Sequence, residues 1–465
     1  MDRATSLADQ FARLRGVSLT RWCGQGASPL APSTALITIG ASHLPVLHVD
    51  EKRRLARLVS EGAVLYVRGL PRNAASLDLA PFAHGCVRVA GERRAVGYRF
   101  TTGAIVPAVL IDEETTGAFE AAGAELEGLP VQPLMTVRHV DGVERAGIFM
   151  LECGRGCVIY DLHPEEEDAG SQSGVALLMR LARPDTRHHA VGTLFAADRA
   201  AGRDVKRPPA FNLVIDDRPT NFDHFNTAPL GDLLRRVEAL CPGAHTDFAW
   251  TPSYTHVPRA YIETLRSFDT GFVWHGLYRH VDHRKIPDLA DDFARGRRLV
   301  GRIEERFHVR LQPVMVFPFE GSTSEQLQFL SRAGFTASVE EPRQAGDLPC
   351  GVSAASRACV QPAQLGGPGI VVLHRYQASE LSRDRMLAMA TLGVPIIAYA
   401  HPWNLGLRRL SRLRPFRGDV AYFDEVLKFA ASKRLRPLPL AEIAREARAS
   451  DARGFFADAS LAESA

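Results

Sequence analysis

The chain is short of the features that would place it in a membrane or an exported fraction. No apolar run in its 465 residues reaches about 18, the length a helix needs to cross a bilayer. The opening stretch, MDRATSLADQFARLRGVSL, is charged and lacks the roughly 7–15-residue apolar core of a signal peptide. It is weakly amphipathic and reads as a surface helix within residues 1–30, and the expected location is the cytoplasm. Charge of one sign is also lacking. Lys plus Arg number 56 against 53 Asp plus Glu, which gives no basis for a nucleic-acid partner. Cysteine is sparse, with seven residues at irregular spacing. Cys153 and Cys157 stand near each other without the second pair a zinc site needs, so they read as free thiols in a reducing compartment. The 38 Gly and 29 Pro are scattered rather than periodic, which excludes a fibrous or repetitive chain.

What is present suits two cores. Ala35 to Ile39 reads as a strand. Asp50 to Glu61 reads as a helix with Leu55, Leu58 and Val59 on its apolar face, and Ala63 to Gly69 as a second strand. Strand, helix, strand at this spacing predicts a βαβ unit on a parallel sheet. Later, PLMTVRHV precedes a turn at Asp141-Gly142. RAGIFMLECGRGCVIYDL then reads as two strands joined at Gly154-Arg155-Gly156, and VALLMRLA as a short helix. The basic stretch Ala201 to Ala210 with its paired prolines marks a domain boundary. Beyond it strands and helices alternate for about 235 residues, a length that suits a (β/α) barrel.

The most informative residues end an apolar strand: Phe211 to Ile215, then Asp216 and Asp217. Two adjacent carboxylates at a buried strand end are costly unless something uses them. A divalent metal would neutralise one and leave the other as a base. The competing reading is a pair that caps the next turn. Farther on, TGFVWHGLYRHVDH carries His275, His280 and His283 close together beside aromatics, a pattern that suits metal ligation. His374 and His401 each follow an apolar strand.

These stretches, in order, resemble the polysaccharide deacetylases of the NodB-homology type over roughly residues 206–448. VIDDRP is similar to that family's TFDDGP. The resemblance implies Asp216 as general base and Asp217 as a metal ligand, with zinc or another divalent metal as cofactor. The family's His-x-x-x-His is stretched or compressed here. His275 with His280 is the preferred ligand pair, and His280 with His283 is the alternative. PVMVFPFEG resembles the RpPyG stretch, with Val316 near the place of the arginine that normally orients the base. HPWN resembles an HPWE ending, which implies His401 as general acid, and GIVVLHRY offers His374 as the other candidate. Trp274, Phe317, Pro318, Phe319, Glu320 and Trp403 would line a carbohydrate cleft. The implied activity is hydrolysis of the acetamide of an N-acetylated sugar or polysaccharide. The alternatives are a degenerate glycan-binding or assembly module, and a hydrolase of non-sugar amides.

Residues 31–205 resemble a class I glutamine amidotransferase-like domain, through the stretch ending in LYVRG and the GRGCVIY strand. That implies a flavodoxin-like parallel sheet. The family's cysteine on a strand-to-helix elbow has no counterpart, since Cys86 runs into a strand, so a non-catalytic role is expected. Residues 449–465 are expected to form a flexible tail.

Overall fold

In the computed structural model the described residues are 8, 11–12, 15, 17–22, 35–70, 75–101, 108–110, 113–163, 181, 183–202, 208–216, 227–254, 257–282, 285–318, 322–341, 370–401 and 419–451. The chain divides into two compact units, Met1–Arg207 and Pro208–Phe456. No helix among the described residues is long and apolar enough to cross a membrane.

The first unit is built on a mixed sheet. Its parallel half contains β1 (Ser18–Arg21), β2 (Ala35–Gly40), β3 (Val64–Arg68) and β9 (Gly156–Asp161), paired in that order. Helix α1 (Val49–Ser60) connects β2 to β3 and buries Leu55, Leu58 and Val59, the face its apolar spacing predicts. The carboxylate of Glu51 accepts the His48 N–H at 3.0 Å and satisfies one open donor at its start. The other half is antiparallel: β4 (Ser76–Asp78), β5 (Cys86–Phe100), β6 (Glu114–Glu125), β7 (Gln132–His139) and β8 (Glu144–Cys153). Pairings of β5 with β6, β6 with β8, β8 with β7 and β7 with β5 run in a ring.

The β8–β9 hairpin turns at Gly154-Arg155, and its glycines are set by close approach. A Cβ on Gly156 would lie 2.1 Å from the Ala63 carbonyl oxygen and 2.3 Å from that of Val59, so the hairpin presses on the end of α1. Helix α2 (Pro184–Ala200) follows. Asp161, at the end of β9, is wholly buried. Its carboxylate accepts from the Tyr66 hydroxyl at 2.6 Å and from His163 Nδ1 at 2.7 Å. Burial alone would raise its pKa, but the charges of His163 and Arg68 and the hydrogen bonds outweigh it and hold the carboxyl below its usual range. Cys86 is exposed and opens β5; it occupies no strand-to-helix elbow. Burial pushes the Cys157 thiol up to about 12, away from nucleophilic use.

Two details depart from the sequence reading. The N-terminal stretch is more than a surface helix. Ala8, Phe11 and Ala12 are buried, and Ser18–Arg21 adds a strand. The antiparallel ring extends the expected parallel sheet, because strands with both faces partly covered do not announce their partners locally.

The second unit is a parallel sheet rolled nearly into a barrel. Its strands are β10 (Ala210–Ile215), β11 (Thr246–Trp250), β12 (Thr270–His275), β13 (Leu311–Val316), β14 (Ala337–Glu340), β15 (Val371–His374), β16 (Tyr376–Gln377), β17 (Ile396–Ala400) and β18 (Arg436–Pro437). The order is β15-β14-β13-β12-β11-β10-β17-β16, with β18 beside β10. Helices α3 (Thr227–Leu240), α4 (Arg259–Arg266), α5 (Leu289–Phe307), α6 (Ser324–Arg332), α7 (Arg383–Leu392), α8 (Asp419–Ser432) and α9 (Leu440–Asp451) alternate with the strands. The two edge strands, β15 and β16, are consecutive in sequence with Arg375 alone between them. One half of this stretch bonds to β14 and the other to β17, so the ring closes through a single residue.

The amino ends of the strands are tied by a buried polar floor. Asp247 accepts from Asn212 Nδ2 at 3.0 Å, Gln312 Nε2 at 2.7 Å and the Leu440 N–H at 2.9 Å, the last of these opening α9. His245 lies against it at 3.3 Å and reaches Asp269 at 2.8 Å through its other nitrogen. Gly271 makes room for this network: a Cβ there would stand 2.2 Å from Asp247 Oδ1.

Candidate active site

The carboxyl ends of the barrel strands carry the predicted residues, which is where the loops of such folds build sites. Asp216 follows β10 directly. Its N–H donates to the Ala400 carbonyl at 3.1 Å, which extends the ladder one step past the strands. The pairing of Ile215 with Ala400 places the next residues, Asp216 and His401, side by side. His401 Nε2 is 3.9 Å from Asp216 Oδ2; the carboxylate is 1% exposed and the imidazole 27%. A buried acceptor thus sits beneath a half-open imidazole.

On the neighbouring part of the rim, His275 ends β12 and is buried. Its Nδ1 lies 3.1 Å from the Val316 carbonyl oxygen. A carbonyl only accepts, so Nδ1 carries a proton toward it, and Nε2 is the nitrogen on the other side of the ring. His280 is in the following loop, and the two ring centroids are 4.9 Å apart at 55°. The five-residue step from His275 to His280 is therefore absorbed by irregular backbone, and the pair is together. Asp217 and His283 lie outside the described residues. Among the described residues no three His, Cys, Asp or Glu side chains gather as metal ligands.

His374 ends β15, beside Glu340 in the register of β14. Glu340 faces Ser322 and Ser338, accepting from both hydroxyls. Alternation along the strand therefore turns His374 to that side and Arg375 to the opposite one. Arg375 is 1% exposed, and its Nη1 donates to Asp216 Oδ1 at 2.5 Å and Oδ2 at 2.6 Å. Its guanidinium carbon lies 4.2 Å from the centroid of the Tyr399 ring. The resemblance puts the base-orienting arginine near Val316, and nothing in the sequence around Arg375 marks it for that place beyond its position, one residue past a histidine that ends an apolar strand.

The structure places three residues of the expected carbohydrate-lining set. Trp274 is 3% exposed and packs against Phe293 and Phe335, with centroids 5.7 and 5.5 Å away. Its neighbour His275 faces inward, so the period of two sends the indole outward into the core between sheet and helices. Phe317 and Pro318 are buried too. Phe319, Glu320 and Trp403 lie outside the described residues.

The fold has solved counterparts. The carbohydrate deacetylase Agd3 matches over 97% of this chain and 86% of its own, at 10% identity and a TM-score of 0.58. A family 4 carbohydrate esterase from Streptomyces lividans, solved with acetate, matches 50% of this chain and 93% of its own at 13% identity and a TM-score of 0.31. The Bc1960 peptidoglycan N-acetylglucosamine deacetylase matches 51% of this chain and 91% of its own at 12% identity and a TM-score of 0.29. No family model and no curated sequence matches the chain. At these identities the likeness to Agd3 establishes a shared α/β architecture, with a barrel sheet and a further sheet.

Proposed function

We propose that the protein is a carbohydrate deacetylase that hydrolyses the acetamide of an N-acetylated sugar or polysaccharide. The observation that carries this reading is the juxtaposition of buried Asp216 with half-exposed His401 at the barrel rim. Asp216 is placed to take a proton from the attacking water, and His401 to give one to the departing sugar nitrogen. An acceptor shielded from solvent keeps its proton exchange within the site, whereas the donor faces the opening through which substrate arrives.

The donor set suits a divalent ion such as zinc, because the Val316 carbonyl engages His275 through Nδ1, so that the ring would ligate through Nε2, and His280 stands beside it. Asp217 would complete the set, with His283 as the alternative second imidazole. When bound, the ion supplies Lewis acidity toward the acetyl oxygen and acidifies water. The carbonyl of Val316 aims the His275 ring. The likeness of the barrel to carbohydrate deacetylases supports a carbohydrate substrate over a small non-sugar amide.

The test is acetate release from N-acetylglucosamine oligomers by zinc-supplemented protein, set against acetylated small amides. Turnover of the oligomers well above that of the small amides is expected. Failure to release acetate from any N-acetylated sugar with zinc, cobalt or manganese would refute the assignment and favour a glycan-binding module.

A further inference from the structure

Arg375 is the residue of the site with no assigned task, and its surroundings are unusually definite. Its backbone N–H donates to the Glu340 carbonyl at 3.0 Å, and the next residue, Tyr376, already pairs with β17. The main chain is thus held on both sides of the seam. The side chain is buried with Asp216, and its guanidinium lies over Tyr399. A buried carboxylate left without a cation is costly, and so is a buried guanidinium without a carboxylate. Both oxygens of Asp216 meet one nitrogen, Nη1. That contact centres the carboxylate and fixes its rotation, while the ring fixes the guanidinium from a second direction.

We infer that Arg375 is the positioning residue for Asp216. Its two contacts to the carboxylate and its tether to both edges of the barrel fix where that carboxylate points. The inference rests on the deacetylase reading for its catalytic part and on geometry alone for the pairing. Val316 offers its carbonyl to His275 and to the Gly276 N–H. Arg375 reaches the Asp216 carboxylate from the closing strand, 159 positions from its partner.

Two measurements separate these parts. The first is a stability cycle by urea unfolding of metal-free wild type, Arg375→Met, Asp216→Asn and the double variant. Each single change strands a buried partner, so the double variant is expected to be less destabilised than the sum of the singles. Additive effects would overturn the pairing. The second is steady-state kinetics of the zinc-loaded protein. Arg375→Met is expected to lower kcat by about a hundredfold with KM and zinc stoichiometry little changed. Arg375→Lys, which keeps one cationic nitrogen, is expected to recover part of the loss. Should Arg375→Met fail to fold, Arg375→Lys and Tyr399→Leu carry the comparison, each with a smaller fall in kcat. An unchanged kcat in any folded variant, beside lowered stability, would overturn the positioning role. Absence of wild-type turnover would overturn the deacetylase reading and the catalytic part, and leave the stability cycle to decide the pairing.

Discussion

Asp216 and His401 are neighbours in register, yet one is closed to water and the other open to it. That contrast separates their tasks. Asp216→Asn removes the acceptor without changing shape, and acetate release is expected to fall by roughly a hundredfold or more, with circular dichroism unchanged. His401→Gln should fall likewise on sugars. It should recover in part on an acetanilide with a strongly acidic aniline, whose nitrogen leaves without help; equal losses on both substrates would remove His401 as proton donor. His275→Ala and Asp217→Ala are each expected to lose the zinc retained after dialysis, measured by elemental analysis. Retention of one equivalent in both would dismiss the ligand assignment. At this scale the sequence was legible where a polar side chain ends an apolar strand, as for Asp216, His275 and His401. It was silent on Arg375 because a buried arginine is explained only by its carboxylate, and that lies far away in the chain. The direction of Trp274 follows from strand alternation once His275 is inward.

Elements set the floor of the barrel as they set its rim. Asp247 joins strands β10 and β13 to the first turn of α9, and His245 balances its charge. Burial works to lower the His245 pKa, but hydrogen bonds and charge from Asp247, then Asp269, outweigh it and raise the group to about 9. The folded value lies above the unfolded one of about 6.5. Its contribution is therefore complete below pH 6.5 or so and is lost as pH rises through about 9, with an upper limit on the order of 3 kcal/mol. Urea midpoints of wild type should fall between pH 7 and 9.5 more steeply than those of His245→Gln; parallel curves would exclude the effect. Gly271→Ala drives a methyl into the same network, and a loss of roughly 1–3 kcal/mol is expected. A midpoint within error of wild type would show that the floor yields. The βαβ unit and the alternating second half were readable from periodicity and punctuation. The floor was not, since its members are single polar residues inside apolar strands, each unremarkable until the register brings them together.

Across the whole molecule, the division at Arg207 and Pro208 falls within the basic, proline-bearing stretch. Each unit has its own sheet and apolar core. Residues 208–456, expressed alone, are expected to fold cooperatively and to bind zinc with the stoichiometry of the full chain. A fragment without a cooperative transition would show that the barrel depends on the first unit. The likeness to Agd3 spans nearly the full length of this chain at 10% identity, a shared architecture with little shared sequence.

The single-residue seam between β15 and β16 has a consequence for how such a barrel changes by descent. There is no spare loop at that point to absorb an insertion. A gain of one position upstream would carry His374 to the place of Arg375, facing the lumen, and move Arg375 on to the outward-facing place of Tyr376. One codon gained upstream in that strand would trade a fixed cation for an imidazole against Asp216. The seam is thus a place where one indel, rather than a series of point changes, rewrites the chemistry of the barrel.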